Sequence, residues 1–313
     1  MKIRMTTFKL LILGSASASP TLKRNPTSQL LNINEQYFLI DCGEGTQSRL
    51  REHKIKFQRL HHIFISHLHG DHYLGLLGLL QTMHLLGRTA DLHLYAPVAL
   101  KELIDLHLKY SRSSLRYELI FHPTQTEEPK IIFENDHVEV STIVLNHRIP
   151  CTGFLFKEKP KPRKINPVAI RSHNIPKYAM NQLKKGEDFV CYETQKVIKN
   201  EVLTLKPSKS FSYAFCSDTK YFEEIIPQIA QVDLLYHEAT FMEKDAKRAS
   251  ETYHSTAKQA ARIALKAKAN LLIIGHFSNR YQELDELLFE AKTVFENTQL
   301  ALENTWFEIA ETQ

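Results

Sequence analysis

Ile63-Phe64-Ile65-Ser66-His67-Leu68-His69-Gly70-Asp71-His72 is the stretch that decides how this chain folds. The apolar run from Ile63 to Ile65 reads as a strand, and the residues after it place three imidazoles and a carboxylate where that strand ends. Neutral imidazole and carboxylate are donors that suit Zn²⁺ at physiological pH. A tight turn lets His67 and His69 face one ion while Asp71 and His72 face another. HxHxDH therefore points to a two-metal site, which a lone HxH would not. Loop histidines that merely flank a strand would rarely concentrate ligand types in this way.

The pattern recurs downstream. Val138 to Leu145 is β-like and leads to His147, Phe211 to Cys216 leads to Asp218, and Leu271 to Ile274 leads to His276. Side chains at the carboxyl ends of several strands converge on one edge of a sheet, where α/β folds place their chemistry. With HLHGDH this makes five histidines and two aspartates, a set that serves two zinc ions if Asp218 bridges them. Helical stretches alternate with the strands, at Tyr73 to Leu86, Ala99 to Tyr110, Thr256 to Ala269 and Gln282 to Phe295, which predicts sheets covered by helices.

The 313 residues have the composition of an ordinary globular protein, which excludes disordered and fibrous classes and allows one α/β domain over 1–313. Cys42, Cys151, Cys191 and Cys216 form no CxxC and read as reduced core thiols, which fits a reducing cytoplasm. Lys2, Arg4 and Lys9 before Leu10-Leu11-Ile12-Leu13 imitate a secretion signal, but the apolar core is too short, and a first strand running to Gly14 is the better reading. The Leu-rich stretch Tyr73 to Gly87, interrupted by Gln81 and His84, is too short for a bilayer, so no membrane association is expected.

Charge is unevenly distributed. The formal total is +5, yet residues 157–209 carry 13 Lys/Arg against 5 Asp/Glu, so the rest of the chain is net acidic. This segment also holds Pro160, Pro162, Pro167, Pro176 and a Lys184-Lys185-Gly186 turn, with little apolar periodicity. It reads as an inserted, protruding basic arm for a polyanion, since each phosphate neutralised releases condensed counterions. A merely solubilising insertion is the alternative. His53, His61, His62, His84, His93, His107, His122, His137 and His173 have no second ligand at useful spacing and read as surface or satisfied core residues. His237-Glu238 after a strand-like run and Tyr253-His254-Ser255-Thr256 at a helix start stand apart. An imidazole oriented there by a carboxylate can act as general acid, and simple helix capping by Ser255 is the alternative.

Assembled, these residues resemble the ribonuclease Z family of the metallo-β-lactamase superfamily. The resemblance runs through most of the chain: Asp41-Cys42-Gly43-Glu44-Gly45-Thr46-Gln47, HLHGDH, Cys216-Ser217-Asp218-Thr219, His237-Glu238-Ala239-Thr240, His254-Ser255-Thr256 and His276-Phe277-Ser278-Asn279-Arg280-Tyr281. It implies an αββα sandwich, with His67, His69 and His147 on one zinc, Asp71, His72 and His276 on the other, and Asp218 between them. It further implies that Asp71 handles the proton of the attacking water and that Glu238 orients His254, which protonates the leaving oxygen. The implied reaction cuts precursor tRNA after the discriminator base, leaving a 3′-hydroxyl on the tRNA and a 5′-phosphate on the trailer. In the family the arm grips the tRNA elbow, often across a homodimer, which gives Lys184 and Lys185 a substrate role.

Two departures accompany the resemblance. Asn174-Ile175-Pro176-Lys177-Tyr178-Ala179 stands where bacterial relatives carry a Gly-Pro motif. The PxKxRN loop appears as Pro20-Thr21-Leu22-Lys23-Arg24-Asn25, its lysine displaced by one position, after Ser15-Ala16-Ser17-Ala18-Ser19 in place of a glycine-rich turn. Lys23, Arg24, Asn25 and Arg280 are the further substrate-contact candidates. The alternatives are a small-substrate phosphodiesterase on the same metal core, against which the basic segment argues, and a non-catalytic RNA-binding module, against which the complete ligand set argues.

Overall fold

The computed structural model describes residues 7–309; Lys2 and Arg4 of the basic N-terminal stretch lie outside them. Strands β1 (Phe8–Gly14), β2 (Ser28–Ile33), β3 (Gln36–Cys42), β4 (Leu60–Phe64), β5 (Leu92–Ala96), β6 (Leu119–Pro123) and β18 (Trp306–Glu308) form one seven-stranded sheet in the order β18-β1-β2-β3-β4-β5-β6. A second seven-stranded sheet runs β17 (Thr298–Leu300), β16 (Leu271–Gly275), β15 (Leu234–Glu238), β14 (Ser212–Cys216), β9 (Thr152–Glu158), β8 (Val138–Val144), β7 (Ile131–Glu134). Each sheet contains an all-parallel stretch, β3 to β6 in the first and β14 to β17 in the second, from whose strand ends most of the candidate ligands come.

Alternation along the strands makes a layered core. Phe64 faces the other sheet, its ring 5.3 Å from both Phe154 and Phe156, while Ile63 and Ile65 face the helices. Helices α1 (Thr46–Glu52), α2 (Gly70–Leu85) and α3 (Ala99–Tyr110) cover the first sheet through Leu50, Leu76, Leu80, Met83, Leu100 and Ile104. Helix α8 (Ala257–Ala267), with α9 (Asp285–Lys292), covers the second and presents alanines at helical spacing. Short side chains there let the helix backbone lie close to the strands. Helix α7 (Ala246–Thr252) precedes it. The implied αββα sandwich is thus the observed fold.

A separate compact unit comprises Glu134–Glu139 and Lys157–Phe211. It contains α4 (Pro167–Ser172), α5 (Met180–Lys185), α6 (Asn200–Leu203) and two small sheets, β10 (Lys164–Ile165) with β13 (Thr204–Leu205) and β11 (Phe189–Val190) with β12 (Val197–Ile198). Despite the weak periodicity of this segment, Ala169, Ile175, Ala179, Leu183, Phe189 and Leu203 form an apolar cluster. Helices of four to six residues show at most two turns, too few for a repeat to register in sequence. Asn200 ties the unit together by donating from Nδ2 to the carbonyls of Leu183 and Glu187.

Cys42, Cys151 and Cys216 are buried free thiols; Cys191 is free but only half-buried, which corrects its reading as a core residue. No described helix is long and apolar enough to cross a membrane.

Candidate metal centre

The HLHGDH stretch is split between two elements. His67 and His69 lie in the loop beyond β4, whereas Asp71 and His72 lie in the first turn of α2, which starts at Gly70 rather than at Tyr73. The apolar repeat begins only after the polar residues, so the pattern alone placed the start too late. Gly75 seats this helix: a Cβ there would lie 2.1 Å from the Gly43 carbonyl oxygen, so only glycine permits the approach. That contact brings His72 beside Asp41.

The loops after β8, β14 and β16 deliver His147, Asp218 and His276 to the same place. Ligand atoms of His67, His69, His147 and Asp218 all lie within 4.8 Å of one another, as do those of Asp71, His72 and His276. Asp218 Oδ2 is 3.5 Å from His67 Nε2, while Asp218 Oδ1 is 3.4 Å from His72 Nε2 and 3.2 Å from His276 Nε2, so its two oxygens face the two groups. All seven residues expected from the sequence are brought together.

Two observations show that the set fits metal ions. Asp218 Oδ1 is buried and lacks a hydrogen-bond partner among the described residues, a costly state for a carboxylate oxygen unless a cation completes it. Secondly, the outer nitrogens of four imidazoles are engaged. His72 Nδ1 donates to Asp41 Oδ2 at 2.7 Å, His147 Nδ1 to the Tyr253 carbonyl at 2.9 Å, His276 Nδ1 to Thr240 Oγ1 at 2.8 Å and His67 Nδ1 to Ser66 Oγ at 3.0 Å. This leaves each Nε2 lone pair pointing inward, the tautomer that binds a metal. The inward nitrogens crowd accordingly: His67 Nε2 and His69 Nδ1 are 3.0 Å apart, His147 Nε2 and His69 Nδ1 3.2 Å.

Asp41 supports this arrangement without entering it. Its φ of 53° is left-handed, and its carboxylate also accepts from Ser66 N at 2.8 Å and Ser66 Oγ at 2.9 Å. Burial raises the Asp41 pKa, and His72 and Ser66 oppose the rise. In the sequence this role shows only as the Asp41-Cys42-Gly43 segment. Ala18 supports Asp71 in a similar way. It adopts φ 64° although it is not glycine, and its N–H donates to Asp71 Oδ2 at 2.7 Å.

A second carboxylate, Glu238, is wholly buried and accepts from His254 Nδ1 at 2.9 Å. Burial would lower the His254 pKa, but the facing carboxylates of Glu238 and Asp218 outweigh it and raise it to about 9. Burial likewise opposes the charge on Asp71, yet His72 and His276 hold it below the usual carboxylate range. Ser255 is not the helix cap; Thr256 caps α8, paired with Gln259, and Ser255 N instead donates to Glu238. His237 faces away, buried, with Nδ1 on the Glu238 carbonyl at 2.7 Å, so it takes no part in the site.

The substrate-contact candidates fare differently. Arg24 donates to the Tyr281 carbonyl at 2.9 Å and the Asn25 N–H to Glu303, so both brace their loop, while Lys23 is exposed. Arg280 pairs with Asp245 at 3.2 Å and lies over the Phe241 ring. Lys184 and Lys185 end α5 of the separate unit, exposed.

Known proteins resemble this chain. The family model described as Anti-Pycsar protein Apyc1 matches residues 8–161. The chain is similar to the short form of human tRNase Z, with 25% identity, 96% of this chain and 99% of that one covered, and a TM-score of 0.69. It also shares its fold with the metallo-β-lactamase fold protein YhfI from Bacillus subtilis, at 19% identity and a TM-score of 0.68, covering 97% and 100% of the two chains. A protein named ribonuclease Z from Bacteroides thetaiotaomicron is 50% identical over 300 residues, which span 96% of this chain and 95% of that relative. Half the residues are thus shared along nearly the whole of both chains, and the protein belongs to the ribonuclease Z family, built on the metallo-β-lactamase fold.

Proposed function

We propose that this endoribonuclease removes 3′ trailers from precursor tRNA with two zinc ions, one held by His67, His69 and His147, the other by Asp71, His72 and His276, and Asp218 shared. The observation that carries the reading is Asp218 itself, a buried carboxylate whose oxygens face two separate histidine groups. Bound together, two such ions supply hydroxide at neutral pH and offset charge on both oxygens of an in-line displacement.

The chain's own groups do the rest. Asp71, ionised and fixed by the Ala18 N–H, is placed to orient the attacking water and accept its proton. Glu238 holds His254 and, with Asp218, raises its pKa to about 9, so it is placed to give a proton to the departing 3′ oxygen of the tRNA. The products are then a 3′-hydroxyl on the tRNA and a 5′-phosphate on the trailer.

The basic unit, with exposed Arg171, Lys177, Tyr178, Lys184 and Lys185, has the charge to hold an RNA backbone, whose recognition rests on shape and phosphate contacts. Its role as an inserted substrate-binding arm, and a cytoplasmic homodimer, complete the reading on the strength of the family. The test is incubation of purified protein with a 3′-extended precursor tRNA. A single chelator-sensitive cut after the discriminator base supports the proposal. Hydrolysis of small diesters with the precursor left intact supports the small-substrate alternative instead.

A further inference from the structure

Thr240 touches both halves of the site. Its side chain is buried, 2% exposed, and its Oγ1 lies 2.8 Å from His276 Nδ1, 2.7 Å from Glu238 Oε2 and 3.4 Å from His254 Nδ1. A hydroxyl has one proton to give. Glu238 Oε2 is acceptor only, so the Thr240 proton goes there, alongside the Thr240 N–H at 3.0 Å. The Oγ1 lone pairs then face His276 and can only accept from it. His276 must therefore carry its proton on Nδ1 and turn a bare Nε2 toward Asp71 and Asp218, which lie 3.3 and 3.2 Å away.

The same contact fixes the other end. Glu238 Oε1 receives His254 Nδ1, Ser255 N at 3.0 Å and Thr219 N at 3.2 Å, while Oε2 receives only Thr240. The Thr240 hydroxyl thus anchors the carboxylate oxygen that faces away from His254 and sets the rotation of the group against which His254 is held.

We propose that Thr240 is a positioning residue whose single hydroxyl serves both centres at once: it sets the His276 tautomer needed for metal binding and the Glu238 orientation that aims His254 at the leaving oxygen. The inference rests on the two-metal reading of the site. Thr240→Val keeps the volume and removes the hydroxyl; Thr240→Ser keeps the hydroxyl; Thr240→Cys, with a weakly bonding thiol, is the second deletion variant should Val not fold.

Two readouts are taken. The first is zinc affinity by competition with a chromogenic chelator, expected to fall about 10–100-fold in Val or Cys and to return within a few-fold in Ser. The second compares single-turnover cleavage of precursor tRNA with that of the same RNA bearing a 3′-bridging sulfur at the scissile linkage, whose thiolate departs without a proton. The deletion variants should slow the oxygen substrate more than the sulfur one, and Ser should restore the wild-type ratio. Wild-type zinc affinity together with an unchanged oxygen-to-sulfur ratio in Val or Cys would overturn the inference, as would a serine variant that behaves like valine. Failure of the wild-type protein to bind zinc at all would overturn the two-metal reading instead.

Discussion

His62 and His67 are five residues apart, one within β4 and one just beyond it, yet they belong to two unlike groups of histidines. His62 stacks on Phe38 at 5.5 Å and on His93 at 5.1 Å; His93 in turn stacks on His122, whose ring also lies 4.4 Å from that of Tyr95. Burial lowers His62 to about 3, and the other imidazoles of the stack push in the same direction. Burial also lowers His67 to about 3, but there Asp218 opposes it, and neighbouring His72 is held well above its ordinary value by Asp218, Asp71 and Asp41 despite its own burial. The difference teaches that imidazoles alone do not make a metal centre. In the stack His93 Nδ1 and His122 Nε2 also meet, at 2.9 Å, but these histidines join no carboxylate in a ligand group among the described residues, whereas in the metal centre carboxylates supply the negative charge that draws nitrogens, and cations, to one point.

Removing that charge should break the contrast most completely. Asp218→Ala is expected to abolish detectable cleavage and to lower bound zinc, checked by RNA cleavage and metal analysis on the same preparation. His254→Ala separates the histidine proposed to move a proton from those proposed to hold metal: zinc content and RNA binding are expected to stay, while single-turnover cleavage should slow about 10²–10⁴-fold. Asp41→Asn keeps a residue tolerant of left-handed φ and removes only the charge behind His72. Zinc affinity should fall about 10–100-fold in a chelator competition.

The smallest effect is predicted at the stack. His62→Phe should leave cleavage unchanged and alter only the acid response of metal-depleted protein. A histidine near 3 when folded and near 6.5 when unfolded contributes stability that is full above pH 6.5 and is lost as pH falls toward 3. The phenylalanine variant escapes this loss, so its advantage in thermal melts should widen by up to about 1.4 kcal/mol for each pH unit below 6.5. Loss of cleavage in this variant would mean that the two groups are not independent.

Sequence carried the ligands because each sits at a strand end beside a run of apolar residues, and ligand type and position are both legible there. The bland reading of His62, His93 and His122 also agrees with the fold, although their stacking depends on strands 27 to 31 residues apart in register and leaves no local mark. The supporting residues were less visible for the same reason. Asp41 reaches His72 across 31 positions, Ala18 reaches Asp71 across 53 and Thr240 reaches His276 across 36, and none is a ligand type at ligand spacing. Strand alternation turns His237 and Glu238 to opposite sides, so of this pair only Glu238 faces the site. The apolar cluster of the basic unit was hidden by helices too short to show a period.

Whether Asp218 joins two cation sites in the active protein can be read from native mass spectrometry of freshly purified, catalytically competent material. A mass corresponding to two zinc ions per chain, lost together with activity on chelation, is the expected result. Full activity in material that carries no stoichiometric metal would contradict it.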